Sequence, residues 1–82
     1  MSALRAALEP VIAFSARLGA RCLVCPVEDD DLSRRAATFA ALCDLAAKYH
    51  LDALAEFNPY SGCRDLASAV ALVAVVGKPN AG

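Results

Sequence analysis

Leu4, Leu8, Val11, Ile12 and Leu18 recur at helical spacing, which predicts a helix over 3–18. Pro10 interrupts that pattern by removing a backbone donor, so the firm helix either starts near Pro10 or kinks there. Gly19 stands where a left-handed C-terminal cap is expected. The pattern then shortens: Arg21 to Val27 is a β-branched and apolar run, and Pro26 limits further pairing, as at the end of a strand. Leu32 to Tyr49 is the clearest helix. Leu32, Ala36, Phe39, Leu42, Cys43, Ala46 and Tyr49 share one side, while Ser33, Arg34, Asp44 and Lys48 turn largely away from it. Asp44 and Lys48 also form an i,i+4 pair. Leu51 to Phe57 reads as a second strand and 58–62 as loop chemistry. Asp65 caps a third helix over 66–76, with Gly77 past its end. Asn80-Ala81-Gly82 is read as an end that leads to no element.

The predicted order is helix, strand, helix, strand, helix. Strands joined through helices pair in parallel with a right-handed crossover. The fold class is therefore α/β, α-β-α-β-α with two adjacent parallel strands near 21–27 and 52–57. A parallel sheet needs cover on both faces and normally has more than two strands. The unit repeats after about 30 residues, with Leu18-Gly19-Ala20 before one strand and Tyr49-His50-Leu51 before the next. This is the pattern of a piece cut from a larger repeating α/β fold.

Composition sharpens this picture. The chain has 82 residues, enough for one small domain at most. Alanine carries much of the 59% hydrophobic content, so helix-packing surface is plentiful and large core anchors are few. A formal charge of −1 and the scarcity of aromatic residues argue against nucleic acid as a partner. The longest apolar run, Ala69 to Val76, is far short of a membrane span, and no signal-peptide pattern opens the chain. The expected location is cytoplasmic, with the four cysteines as buried free thiols. Glu28-Asp29-Asp30-Asp31 reads as a solvated loop in which Asp30 or Asp31 caps the next helix.

Several segments together carry a family resemblance. They are Ala16-Arg17-Leu18-Gly19-Ala20 before a strand, Ala46-Ala47-Lys48-Tyr49-His50-Leu51 before Ala55-Glu56-Phe57-Asn58-Pro59, then Leu72-Val73 and Gly77-Lys78-Pro79-Asn80-Ala81-Gly82. In order and spacing the chain resembles the xylose-isomerase-like TIM-barrel family, in its sugar phosphate isomerase and epimerase branch. The resemblance implies a partial (β/α)8 barrel, with 1–82 a fragment of a single such domain running from about its third helix to its fifth. It implies a parent enzyme that transfers a proton on a metal-bound sugar or sugar phosphate. In that family a glutamate near the end of the fifth strand is a metal ligand beside the substrate, and Glu56 occupies the matching position. The remaining ligands, an aspartate, a histidine and a second glutamate, would lie beyond Gly82. The resemblance thus implies a divalent metal (Mn²⁺, Mg²⁺ or Zn²⁺) in the intact barrel, none bound to this chain alone, and an inactive fragment. Two positions depart from the family: His50 stands where glycine is frequent, and Gly62 where some epimerases place a substrate-binding glutamate.

The residues also have readings of their own. Strand alternation puts Leu54 and Glu56 on one face and Ala53, Ala55 and Phe57 on the other. Phe57 and the alanines suit the helix-facing side, which points Glu56 to the opposite face near the strand's C-terminal end. A carboxylate there suits oxygen-rich metal coordination and proton transfer. Asn58 follows on the same loop, where it either touches substrate or forms the turn with Pro59. Asp52 shares the face of Glu56 at the opposite end, where a structural role is expected. Cys22-Leu23-Val24-Cys25 matches C-x-x-C, yet on a strand the two thiols take opposite faces and cannot easily share a metal. The alternative to an enzyme fragment is a non-catalytic α/β interaction module that self-associates to cover its sheet edges.

Overall fold

A computed structural model describes residues 2–27, 29–60 and 62–82. Glu28 of the acidic run and Ser61 of the loop lie outside the described residues, as does Met1. The elements are α1 (Ser2–Arg17), β1 (Cys22–Pro26), α2 (Leu32–Lys48), β2 (Asp52–Glu56) and α3 (Leu66–Val76). The chain is α/β, with three helices and two parallel strands in an open sheet. Each strand is a residue shorter at either end than the apolar run that marked it.

Helix α1 runs unbroken through Pro10 from Ser2, so the firm helix does not begin at the proline. Ala6 and Pro10 are both exposed, which leaves the carbonyl that Pro10 cannot bond facing water.

The repeat is written in the caps. After α1 the Gly19 N–H donates to the Ala16 carbonyl at 3.0 Å and the Ala20 N–H to Ser15 at 3.1 Å. After α2 the His50 N–H donates to Ala47 at 3.0 Å and the Leu51 N–H to Ala46 at 2.9 Å. Both pairs are Schellman motifs, whose turning residue is left-handed. Gly19 has φ 90° and Gly77, after α3, has φ 64°. His50 makes the same turn with φ 62°, so a side chain stands where the geometry favours glycine.

Strands β1 and β2 pair in register from Cys22 opposite Asp52 to Pro26 opposite Glu56. The expectation that residues 80–82 lead nowhere is wrong. Ala81 forms a parallel bridge with Ala53, on the edge of β2 away from β1. The Ala53 N–H donates to the Asn80 carbonyl at 2.9 Å, the Gly82 N–H to the Ala53 carbonyl at 2.9 Å and the Ala55 N–H to the Gly82 carbonyl at 2.8 Å. The Asn80 amide fixes this segment by donating to the carbonyls of Cys43 at 2.8 Å and Leu51 at 3.0 Å. No apolar run announced these contacts, because they rest on backbone groups and one amide.

The core lies on one side of the sheet. Phe39, Cys43, Leu45 and Ala46 of α2 are buried, with Leu72 of α3, Ile12 of α1 and Ala53 of β2. Leu45 adds to the predicted stripe, whereas Leu32, in the first turn of α2, is exposed. The i,i+4 pair expected between Asp44 and Lys48 is replaced by longer reaches. Lys48 pairs with Glu9 of α1, which also accepts from the Tyr49 hydroxyl, and Asp44 pairs with Lys78 at 3.0 Å. These contacts tie α1 and the C-terminal segment to α2.

Three substitutions test the turns and the edge. Gly62 packs so tightly that an added Cβ would stand 2.2 Å from the Asp29 carbonyl oxygen. Gly62→Ala is therefore expected to destabilise the fold by about 1–3 kcal/mol. His50→Gly relieves a left-handed side chain and is expected to stabilise it by about 1 kcal/mol. Asn80→Ala removes the hydrogen bonds to the Cys43 and Leu51 carbonyls, a loss of about 1–3 kcal/mol. Denaturant melts of the three variants check both sign and order.

Candidate functional site

The C-terminal end of the strand pair gathers the candidate residues. Pairing alternation leaves Cys22, Val24 and Pro26 of β1 and Asp52, Leu54 and Glu56 of β2 on one face. No described helix packs over that face, and Val24 is 61% exposed on it. Glu56 ends β2 there, exposed, with no described residue engaging its carboxylate. Ala53 on the other face is fully buried under the helices. Phe57 lies on that covered side as the alternation requires, but it is 44% exposed in an open groove beneath α3.

Two loops rim this end of the sheet. In the loop after β2 the Asn58 Oδ1 accepts the Tyr60 N–H at 2.9 Å, which is the turn-forming role for this side chain. The Asn58 N–H donates to the Cys63 carbonyl at 3.0 Å, and the Cys63 N–H reaches the Val27 carbonyl at 3.4 Å, so this loop is stitched to the one after β1. Gly62 permits that close approach. Any side chain at this position would collide with the Asp29 backbone.

The acidic run caps α2 and engages its first turn. Asp31 is the N-cap, accepting from the Arg34 N–H at 2.9 Å. Asp29 accepts two hydrogen bonds from the Arg34 guanidinium, at 2.9 and 3.0 Å, and one from the Asp31 N–H at 2.9 Å. The Arg34 guanidinium beside Asp29 and the Asp31 N–H hold its carboxyl down at about 2. Arg35 donates from Nη1 to the carbonyls of Asp29 at 2.9 Å and Asp30 at 3.1 Å. Its buried Nε meets no acceptor among the described residues. The Asp-to-Arg spacing of five was present in the sequence, but the two residues lie on different elements there and no periodicity links them.

The other candidates are dispersed. Asp52 lies at the opposite end of the open face, across from Cys22. Cys22 is exposed on that face while Cys25 is buried on the helix side, so the C-x-x-C pair diverges as strand geometry requires. The expectation of four buried thiols fails at Cys22, because the face that it occupies is uncovered. Burial pushes the thiols of Cys25, Cys43 and Cys63 up, away from the thiolate form. Among the described residues, no group of three or more His, Cys, Asp or Glu side chains is placed to hold a metal ion. No described helix is long and apolar enough to cross a membrane.

No family model, curated protein or solved structure matched the chain.

The acid limb of stability offers a test of the Asp29 clamp. Its carboxyl is lowered from an ordinary 3.8 to about 2, so the clamp contributes fully above the ordinary value and is lost as pH falls toward 2. The melting temperature of Asp29→Asn should lie below that of the parent at pH 6, and the gap should close between about pH 4 and pH 2. Added salt should shrink the gap at pH 6, since the pair is exposed.

Proposed function

We propose that the chain is a sector of a (β/α)8 barrel of the xylose-isomerase-like kind, and that Glu56 serves as a metal ligand beside a sugar or sugar phosphate in the complete barrel. One observation carries the reading: Glu56 ends an interior parallel strand on the face that no helix covers. β2 has β1 on one edge and the Ala81 bridge on the other; in a closed barrel its uncovered face would be the interior. Catalytic groups in such barrels sit at the C-terminal ends of strands.

The residues at hand fit one ligand of a shared set and not a whole site, since no group of three or more His, Cys, Asp or Glu side chains is placed to hold a metal ion among the described residues. A bound divalent ion would polarise a sugar carbonyl. Glu56 would contribute negative charge at the mouth, and Asn58, with its Oδ1 committed to the Tyr60 turn, would shape the rim rather than grip the sugar. A non-catalytic module that self-associates is the second reading, favoured by an exposed apolar stripe along α1.

The test is the intact mass of the protein in its native cells, followed by an assay on that species. The sector reading expects a chain of about 250 residues. Its metal-dependent sugar isomerisation should fall by about 100-fold or more in Glu56→Gln. A native mass of 8.5 kDa would count against the sector and for the module. The 82-residue chain should show no turnover with Mn²⁺ or Mg²⁺, and turnover that vanishes in Glu56→Ala would reverse that expectation.

A further inference from the structure

Two loops meet at the C-terminal end of the strand pair, one leaving β1 and one leaving β2. Little apolar surface holds the second. Tyr60 is 97% exposed, and Cys63 is the one buried side chain of that loop among the described residues. Backbone contacts close a ring around it. The Cys63 N–H reaches the Val27 carbonyl at 3.4 Å, and the Cys63 carbonyl accepts from the Asn58 N–H at 3.0 Å. Val27 follows Pro26, the register partner of Glu56. The ring therefore sets where the chain leaves β2.

Arg35 of α2 stands at the junction. Its Nη1 donates to the carbonyls of Asp29 at 2.9 Å and Asp30 at 3.1 Å. The same Asp29 oxygen is the atom against which Gly62 packs, and a Cβ on Gly62 would lie 2.9 Å from Arg35 Nη1. The guanidinium thus lies against both loops. Its charge reaches the second one: burial pushes the Cys63 thiol up, and Arg35 pulls it part of the way back. Among the described residues no carboxylate pairs with Arg35, whereas Asp29 and Asp31 both pair with Arg34 beside it. The two adjacent arginines divide the work, Arg34 holding side chains and Arg35 holding loop backbone.

We infer that Arg35 is a clasp for both loops: its guanidinium, fixed on the Asp29 and Asp30 carbonyls, forms the surface on which Gly62 and Cys63 rest, and without it the loop after β2 opens while the helical core stays folded. The Arg35 Nε is buried and meets no acceptor among the described residues. The closed arrangement bears that cost, and water relieves it on opening. With one buried side chain and few backbone bonds to break, opening of this loop lies below global unfolding in free energy. The clasp rests on no chemistry at Glu56 and can fail while that reading stands.

Thiol exchange with an aqueous disulfide reagent, followed at each cysteine by peptide mass, tests it in the folded protein. Cys63 should be protected in the parent, as Cys43 is. In Arg35→Met, Cys63 should react about tenfold faster or more, with Cys43 still at its parent rate. Loss of the charge alone would raise the Cys63 thiol further and slow it, so acceleration reports opening. Arg35→Lys keeps an ammonium donor for the same carbonyls and should restore most of the protection. A general loss of stability would instead speed Cys43 and Cys63 together. If Arg35→Met loses its helical circular dichroism, Arg35→Gln, which keeps one donor group, is read by the same criterion. An unchanged Cys63 rate, or one that rises only in step with that of Cys43, would overturn the inference. So would a Cys63 already fast in the parent, or an Arg35→Lys that behaves like Arg35→Met.

Discussion

Everything in this structure depends on the parallel strand pair and the helix that must join it. Parallel neighbours cannot be closed by a tight turn, so the chain crosses over through α2. That crossover lays Phe39, Cys43 and Ala46 on one face of the sheet. Ala53 is fully buried there, and its small side chain lets the helices approach closely. Helices α2 and α3 pack on that side, α1 packs on α2, and no described helix covers the other. The alternation of strand side chains then assigns each remaining residue to a covered or an open face, Glu56 included.

Much of this was legible in the sequence. Helix α2 showed itself by apolar spacing and an aspartate cap, α3 by Asp65 before it and Gly77 after it, and β1 by its β-branched and apolar run. The opposed thiols of Cys22 and Cys25 followed from alternation alone. What escaped notice has a common character. Asn80 reaches two carbonyls, Ala81 pairs through backbone groups, and Arg34 turns back onto Asp29; none of these contacts has a periodic signature. Of the two alternatives at Pro10, α1 running from Ser2 removes the one in which the helix begins at the proline. Glu56 as the end of a strand was readable, whereas Asn58 stood between a substrate contact and a turn, and its Oδ1 accepts the Tyr60 N–H of the turn.

The same logic explains two unusual positions beside β2. His50 holds a Schellman turn at positive φ, so the backbone keeps the turn of a glycine while the residue is not one. Gly62 carries no side chain where the loops after β1 and β2 touch. Both residues therefore report on how the ends of β2 are fixed.

The most direct measurement of the two-faced sheet is the reactivity of the four thiols toward an aqueous disulfide reagent, with the modified cysteine identified by peptide mass. Cys22 stands on the open face, and Cys25, Cys43 and Cys63 are buried. One fast equivalent at Cys22 and three that react only on unfolding is the result this account predicts. Fast modification of Cys25 in the folded chain, or protection of Cys22, would contradict it.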